Sequence, residues 1–105
     1  MEIIETSVFT RQIQLLLTDE AYRELQIALV ARPDVGAIIV GSGGIRKVRW
    51  SARGRGKRGG ARVIYYWAVK ADQLLMLLAY AKNEQEDLSP EQLKMLRTLV
   101  EEAYK

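Results

Sequence analysis

The feature that most constrains this chain is a stretch of glycines and cations in its middle, GIRKVRWSARGRGKRGGAR, from Gly44 to Arg62. It holds eight Lys or Arg residues and no Asp or Glu. The part from Ser51 to Ala61 contains four glycines and too little apolar surface to join a core. It is therefore predicted to form a long hairpin loop or an arm between two strands. The core must be built from the segments on either side.

The charge distribution indicates an anionic partner. The net charge is only +3, but half of the 16 basic residues lie between Arg46 and Arg62. The rest of the chain has eight basic residues against 13 acidic ones, so a mildly acidic body carries one strongly basic patch. Such a patch is typical of a polyanion-binding site. A merely solvated loop is the alternative, but it would leave a costly cluster of like charges without a partner.

Length and composition exclude several classes of protein. A chain of 105 residues predicts a single domain over residues 1–105. It has no cysteine and no histidine, so disulfides, thiol catalysis and the commonest general base and metal ligand are absent, and we expect no metal or cofactor. The N-terminus has no positive region before an apolar run, and the apolar runs are short, which favours a cytoplasmic protein without membrane contact.

Helix signals occur in three places. TRQIQLLL is expected to start a short helix at Thr10, and a second helix is predicted between its N-cap Thr18 and Pro33. The clearest signal is at the C-terminus, where Ser89 is a predicted N-cap and Gln92 stands at the capping-box position. The stripe of apolar residues that follows predicts a long final helix.

Strand signals fill the remainder. EIIETSVF, IRKVRW, RVIYYWAVK and QLLMLLAYA have strand-like composition, whereas GAIIVGSGG is either a loop or an edge piece. The order predicts an α+β fold in which a small twisted, mainly antiparallel sheet of about four strands packs against two N-terminal helices and a C-terminal helix. On the strand IRKVRW, Lys47 and Arg49 share one parity and can point to the same face.

Three motifs, in this order and spacing, resemble the RelE/HigB toxins of bacterial type II toxin–antitoxin systems. They are GxGGIRKVR, GxGKRGGxRVIYY and YAKNEQEDLSPEQ, and the basic hairpin at about 51–61 is most similar to the HigB branch. The resemblance covers nearly the whole chain and implies a RelE-like fold. It also implies a ribosome-dependent endoribonuclease, an mRNA interferase that cuts mRNA in the ribosomal A site and inhibits translation.

The resemblance also implies partners. They are the ribosome with its mRNA, and a cognate antitoxin that carries a helix-turn-helix domain, through which alone operator DNA would be bound. Two other functions stay open from the sequence. One is a ParE-like toxin that binds DNA gyrase without cutting RNA, and the other is a non-catalytic ribosome-binding or RNA-binding module.

Cleavage by a ribose 2′-OH needs a base, cations that stabilise the phosphorane and an acid for the leaving oxygen. Crowded cations bind the phosphate and favour the neutral form of a nearby amine, so they can replace histidine. The resemblance places Lys47, Arg49, Arg62 and Lys82 at catalytic positions. We expect Lys47 or Lys82 to be the base, and Arg49 and Arg62 to grip the phosphate. For Lys82, an ordinary salt bridge to Glu84, Glu86 or Asp87 is the alternative.

A second group of residues is expected to bind RNA or the ribosome. The glycines of the hairpin would let its backbone approach RNA closely while its cations neutralise phosphates. The best-described RelE proteins have an arginine where this chain has Asn83, and a catalytic tyrosine near Leu88 or Ser89. Tyr80, Tyr65 or Tyr66 is therefore considered as a source of a phenol or a stacking surface. The predicted binding residues are Arg46, Arg53, Arg55, Lys57, Arg58 and Tyr80.

Overall fold

The computed structural model describes residues 1–51 and 60–104. The predicted α+β class is confirmed. Within these two ranges the elements follow in the order β1 (Glu2–Glu5), α1 (Ser7–Leu16), α2 (Asp19–Ala31), β2 (Ala37–Ile38), β3 (Ile45–Ser51), β4 (Gly60–Ala68), β5 (Gln73–Ala81) and α3 (Pro90–Tyr104). None of the helices in these ranges combines the length and the apolar character that a bilayer crossing requires.

The strands form one mixed sheet in the order β1-β5-β4-β3-β2. β2 to β5 pair antiparallel, and β1 pairs parallel with β5. The sheet has five strands rather than about four because the GAIIV segment contributes the two-residue edge strand β2. The ladder between β3 and β4 runs from the pair Ile45–Tyr66 to the pair Ser51–Gly60, as a hairpin requires. The arm residues Arg53, Arg55, Lys57 and Arg58 lie outside the described residues.

Side-chain caps fix the helix starts. α1 begins at Ser7, not at the expected Thr10, because the hydroxyl of Thr6 accepts a hydrogen bond from the backbone N–H of Phe9 at 3.0 Å. The predicted caps of the other helices are confirmed. Thr18 caps α2, and Ser89 exchanges hydrogen bonds with Gln92 in a capping box at the start of α3.

Two cores lie on opposite faces of the sheet. The helix-pair face is covered by α1 and α2, and its buried side chains are Phe9, Ile13, Leu17, Ala21, Leu25, Leu29, Ala61, Val63, Tyr65, Leu74, Met76 and Ala79. On the other face, which we call the α3 face, a smaller core consists of Ile45, Ile64, Leu75, Leu77, Tyr80, Leu96 and Val100. α3 therefore covers the part of its face near Ile45 and leaves the rest to polar side chains.

A β-bulge in β5 aligns the centre of the sheet. The register shifts by one residue between Ile64 and Tyr65 of β4, which leaves Leu77 as the extra residue in β5. The shift places Tyr80 opposite Arg62, where an unbulged register would place the residue before it. The row of ionisable side chains across the α3 face, Arg49, Arg62 and Tyr80, thus depends on an irregularity that the alternation of side chains along a strand does not predict.

Candidate active site

Three of the predicted catalytic cations lie together on the α3 face. Lys47 and Arg49 project from β3, and Arg49 lies directly opposite Arg62 on β4. Tyr80 lies opposite Arg62 on the other side, in β5. The predicted shared face of Lys47 and Arg49 is therefore confirmed, and Arg62 joins them because the antiparallel register aligns it with Arg49.

The three cations converge on one carboxylate, Glu86, in the loop between β5 and α3. Arg62 donates hydrogen bonds from Nε and Nη2 to the two carboxylate oxygens, each at 3.0 Å. Nζ of Lys47 and Nη2 of Arg49 each lie 3.6 Å from Oε2 of the same carboxylate. The two hydrogen bonds from Arg62 have the bidentate geometry in which a guanidinium recognises a carboxylate or a phosphate.

Burial and charge differ across this cluster. The Arg62 side chain is 6 % exposed, whereas those of Arg49 and Glu86 are 69 % and 45 % exposed. The hydrogen bonds from Arg62 hold the pKa of Glu86 below its ordinary value, and the charges of Arg62, Arg49 and Lys47 act in the same direction. Glu86 is therefore ionised at neutral pH and bound to a cation fixed in the sheet.

The loop that carries Glu86 makes further contacts with the row. Nζ of Lys47 lies 2.7 Å from Oδ1 of Asp87 and donates to the backbone carbonyl of Glu86 at 3.3 Å. The Tyr80 hydroxyl donates to the same carbonyl at 3.1 Å. Tyr80 is only 5 % exposed, and burial raises its pKa, so its ring is not presented as a stacking surface and its phenol stays protonated.

Lys82, the fourth predicted catalytic residue, stands at the end of β5 next to the cluster. Its backbone N–H donates to the carbonyl of Gly60 at 3.1 Å. A Cβ placed on Gly60 would lie 4.0 Å from the Cβ of Lys82 and 3.4 Å from Nη1 of Arg62, so the two cationic residues are neighbours. Among the described residues, Lys82 forms no salt bridge to Glu84, Glu86 or Asp87. Glu84 accepts a hydrogen bond from the backbone N–H of Ala81, and Glu86 and Asp87 bind other cations.

Arg46 is not brought together with the other cations. It has the opposite parity on β3, and its Nη1 donates to the backbone carbonyls of Asp34 at 3.0 Å and Gly36 at 2.7 Å. The guanidinium therefore ties the loop after α2 to the sheet. On the same side of the sheet, the hydroxyl of Tyr65 donates to the backbone carbonyl of Pro33 and accepts from the backbone N–H of Gly36, in the same loop.

Glu86 is the site residue that the sequence analysis missed. It entered there only as a possible partner of Lys82. The signal available was the run of acidic residues that follows β5 closely, in NEQED, in a chain whose basic stretch contains no Asp or Glu of its own. Sequence alone does not give the register that directs this carboxylate to Arg62.

The fold and the site define a class of small α+β protein that presents a row of cations from a central sheet. The comparison with known families agrees: the family model described as the RelE toxin of the RelE/RelB toxin–antitoxin system matches residues 1–105. The chain belongs to the RelE toxin family. It is thus a toxin of a toxin–antitoxin system, which implies an antitoxin as its partner. Assignment to the HigB branch stays a prediction.

Proposed function

We propose that this toxin is a ribosome-dependent endoribonuclease that cleaves mRNA in the ribosomal A site and thereby inhibits translation. The observation that carries the proposal is the convergence of Lys47, Arg49 and Arg62 on a single anion within 3.6 Å. Such a site can bind the phosphate of an RNA backbone and stabilise the extra charge of a phosphorane. Membership of the RelE toxin family supports the same activity.

In the proposed reaction, the ribose 2′-oxygen forms a bond to phosphorus while the bond from phosphorus to the 5′-oxygen breaks. Arg62 and Arg49 hold the non-bridging oxygens. Either Lys47 or Lys82 accepts the proton of the 2′-OH, and the other lysine, as an ammonium, donates a proton to the leaving 5′-oxygen. The products are a 2′,3′-cyclic phosphate and a free 5′-OH. No histidine and no metal is needed for this sequence of steps.

In this function the basic hairpin binds the ribosome. Arg53, Arg55, Lys57 and Arg58 would neutralise phosphates of ribosomal RNA, so their removal should weaken ribosome binding and flatten its dependence on salt. We propose that the antitoxin carries the helix-turn-helix domain and that operator DNA is bound only through the complex. The site of action is the cytoplasm, where translating ribosomes are found.

Mapping the 5′ ends of mRNA after induced expression tests the proposal. Cuts in phase with codons, confined to translated messages, are the expected result. The variant in which Lys47, Arg49, Arg62 and Lys82 are all replaced by alanine should give neither cuts nor growth arrest. Growth arrest by that variant would refute the proposed site. Intact mRNA together with a DNA-damage response would favour the gyrase-binding alternative.

A further inference from the structure

We propose that Glu86 occupies the phosphate subsite of this toxin, so that RNA and the Glu86 carboxylate compete for the same donors and the middle of the loop between β5 and α3, residues 85–88, must move when RNA binds. The inference rests on the proposed function for the identity of the ligand, an RNA phosphodiester. It adds an internal competitor to that function.

The competition follows from the donor geometry. Nε and Nη2 of Arg62 are both engaged by Glu86, one on each carboxylate oxygen at 3.0 Å. These two N–H groups form the edge of the guanidinium that holds two oxygens of a phosphate or a carboxylate at once. Lys47 and Arg49 approach the same carboxylate at 3.6 Å, so a phosphate that used all three cations would lie where Glu86 lies. Two anions in that place would repel each other strongly.

The loop is built so that it can leave. Among the described residues, Glu86 is bound through its carboxylate and its backbone carbonyl to side chains of the sheet, and none of these contacts is a strand-ladder hydrogen bond. The carboxylate is 45 % exposed, and that of Asp87 is 77 % exposed, so water can solvate both carboxylates as they withdraw. Displacement would leave the ladder between β4 and β5 intact.

The two ends of the loop are fixed independently of Glu86. On one side, Glu84 accepts a hydrogen bond from the backbone N–H of Ala81 at 3.1 Å. On the other side, the capping box of Ser89 and Gln92 fixes the start of α3. The segment between these anchors is short, and it carries the two carboxylates that face the cations. Movement is therefore confined to the part that covers the site.

Two other roles for Glu86 make different predictions. If Glu86 only braces the site, Glu86→Gln should lower both stability and RNA affinity. If Glu86 is the general base, the variant should lose cleavage without a gain in affinity. Competition alone predicts that removing the charge of Glu86 increases the affinity for a phosphate-containing ligand.

Equilibrium binding of a short RNA with 2′-O-methyl groups, which cannot be cleaved, provides the test. Glu86→Gln should bind it about tenfold more tightly than the wild type, as expected if the closed loop is populated about nine-tenths of the time. Glu84→Gln is the matched control, because it removes the same charge from the same loop but leaves the cluster intact. Equal gains in both variants would reduce the effect to net charge and overturn the proposal, as would a loss of affinity in Glu86→Gln.

A second measurement uses the wild-type protein and so does not depend on the folding of a variant. NMR signals of the Arg62 Nε–H and the Glu86 carboxyl carbon are followed while the 2′-O-methyl RNA, and separately inorganic phosphate, are added. Both signals should change together, with the Glu86 carbon moving toward the position of a solvated carboxylate. A Glu86 signal that stays in place while RNA binds would contradict the proposal. Neither measurement involves ribosomes or cleavage, so failure of the proposed nuclease activity would be seen separately.

Discussion

The two faces of the sheet differ in the kind of partner that binds a charged side chain. On the helix-pair face, Arg46 donates hydrogen bonds to the backbone carbonyls of Asp34 and Gly36, which belong to the connection between α2 and β2. On the α3 face, Arg62 is more deeply buried, yet its partner is a half-exposed carboxylate on a loop. Of these two arginines on neighbouring strands, Arg46 stabilises the fold, whereas Arg62 has a partner that another anion can replace.

This difference shows how one small sheet can separate stability from function. The helix-pair face has two helices and the larger set of buried apolar side chains, among them Phe9, Leu25 and Tyr65. On the α3 face, Lys47, Arg49 and Arg62 occupy positions that apolar core side chains could otherwise fill. Since buried apolar area is the main source of folding free energy, substitutions on the first face should change stability, and substitutions on the second should change anion binding.

The largest expected effect on the first face comes from Phe9→Ala. Phe9 is fully buried between α1 and the sheet, so its removal leaves a cavity and should reduce the free energy of unfolding by about 3–5 kcal/mol. Leu15→Ala, in the same helix but 87 % exposed, should change it by less than about 0.5 kcal/mol. Urea titration measures both variants. A similar loss in the two would mean that α1 does not pack as described.

The next effect separates hydrogen bonding from apolar burial. Tyr65→Phe removes a fully buried hydroxyl that donates to the carbonyl of Pro33 and accepts from the N–H of Gly36, and should cost about 1–3 kcal/mol. Tyr66→Phe makes the same chemical change on the α3 face, where the hydroxyl has no hydrogen bond to the described residues. Its stability should stay near that of the wild type. Equal losses by urea titration would remove the distinction between the two faces.

A smaller effect is expected at the boundary between the Glu86 loop and α3. Ser89→Ala removes the side-chain acceptor for the N–H of Gln92 and should lower stability by about 1 kcal/mol. Ser7→Ala, at an exposed first position of α1 whose cap is Thr6, is the control and should be nearly neutral. Thermal unfolding followed by circular dichroism compares the two variants. A neutral Ser89→Ala would show that the loop is not anchored there.

The smallest expected effect is a dependence of stability on pH. The pKa of Glu86 is lowered in the folded protein, so its ion pair with Arg62 contributes fully above the unfolded pKa and is lost as pH falls through the lower, folded value. Urea midpoints of the wild type should therefore fall more steeply than those of Glu86→Gln between pH ~5 and pH ~2. Parallel curves for the two proteins would indicate that Glu86 is not held by Arg62 in solution.

Local signals predicted much of this fold. Thr18, Ser89 and Gln92 are caps whose chemistry acts within a few residues, and the parity of Lys47 and Arg49 follows from the geometry of any strand. The start of α1 was missed because the β-branched and apolar residues around Thr6 also favour a strand. The cap at Thr6 decided it, supported by the hydrogen bond of its hydroxyl to the carbonyl of Leu77.

The site was predictable only in part, because its geometry depends on long-range register. The resemblance to RelE/HigB toxins placed Arg62 in one site with Lys47, but the sequence did not indicate that a bulge at Leu77 would bring Tyr80 opposite Arg62. It did not reveal that Glu86 would reach across to the cations, since 24 residues separate it from Arg62. Arg46 shows the converse, because charge density included it in the patch although its strand parity directs it to the other face.

The most direct test of the central claim is the single-turnover cleavage of mRNA on programmed ribosomes by the purified toxin. The account predicts cleavage by the wild type, and a rate about 10²–10³ times lower for Arg62→Ala, because one charge-stabilising donor is lost from the transition state. Arg32→Ala removes an equal charge from an exposed position at the end of α2 and should cleave at close to the wild-type rate. Cleavage at the wild-type rate by a folded Arg62→Ala protein would contradict the account. So would the absence of cleavage by the wild type, Arg62→Ala and Arg32→Ala alike.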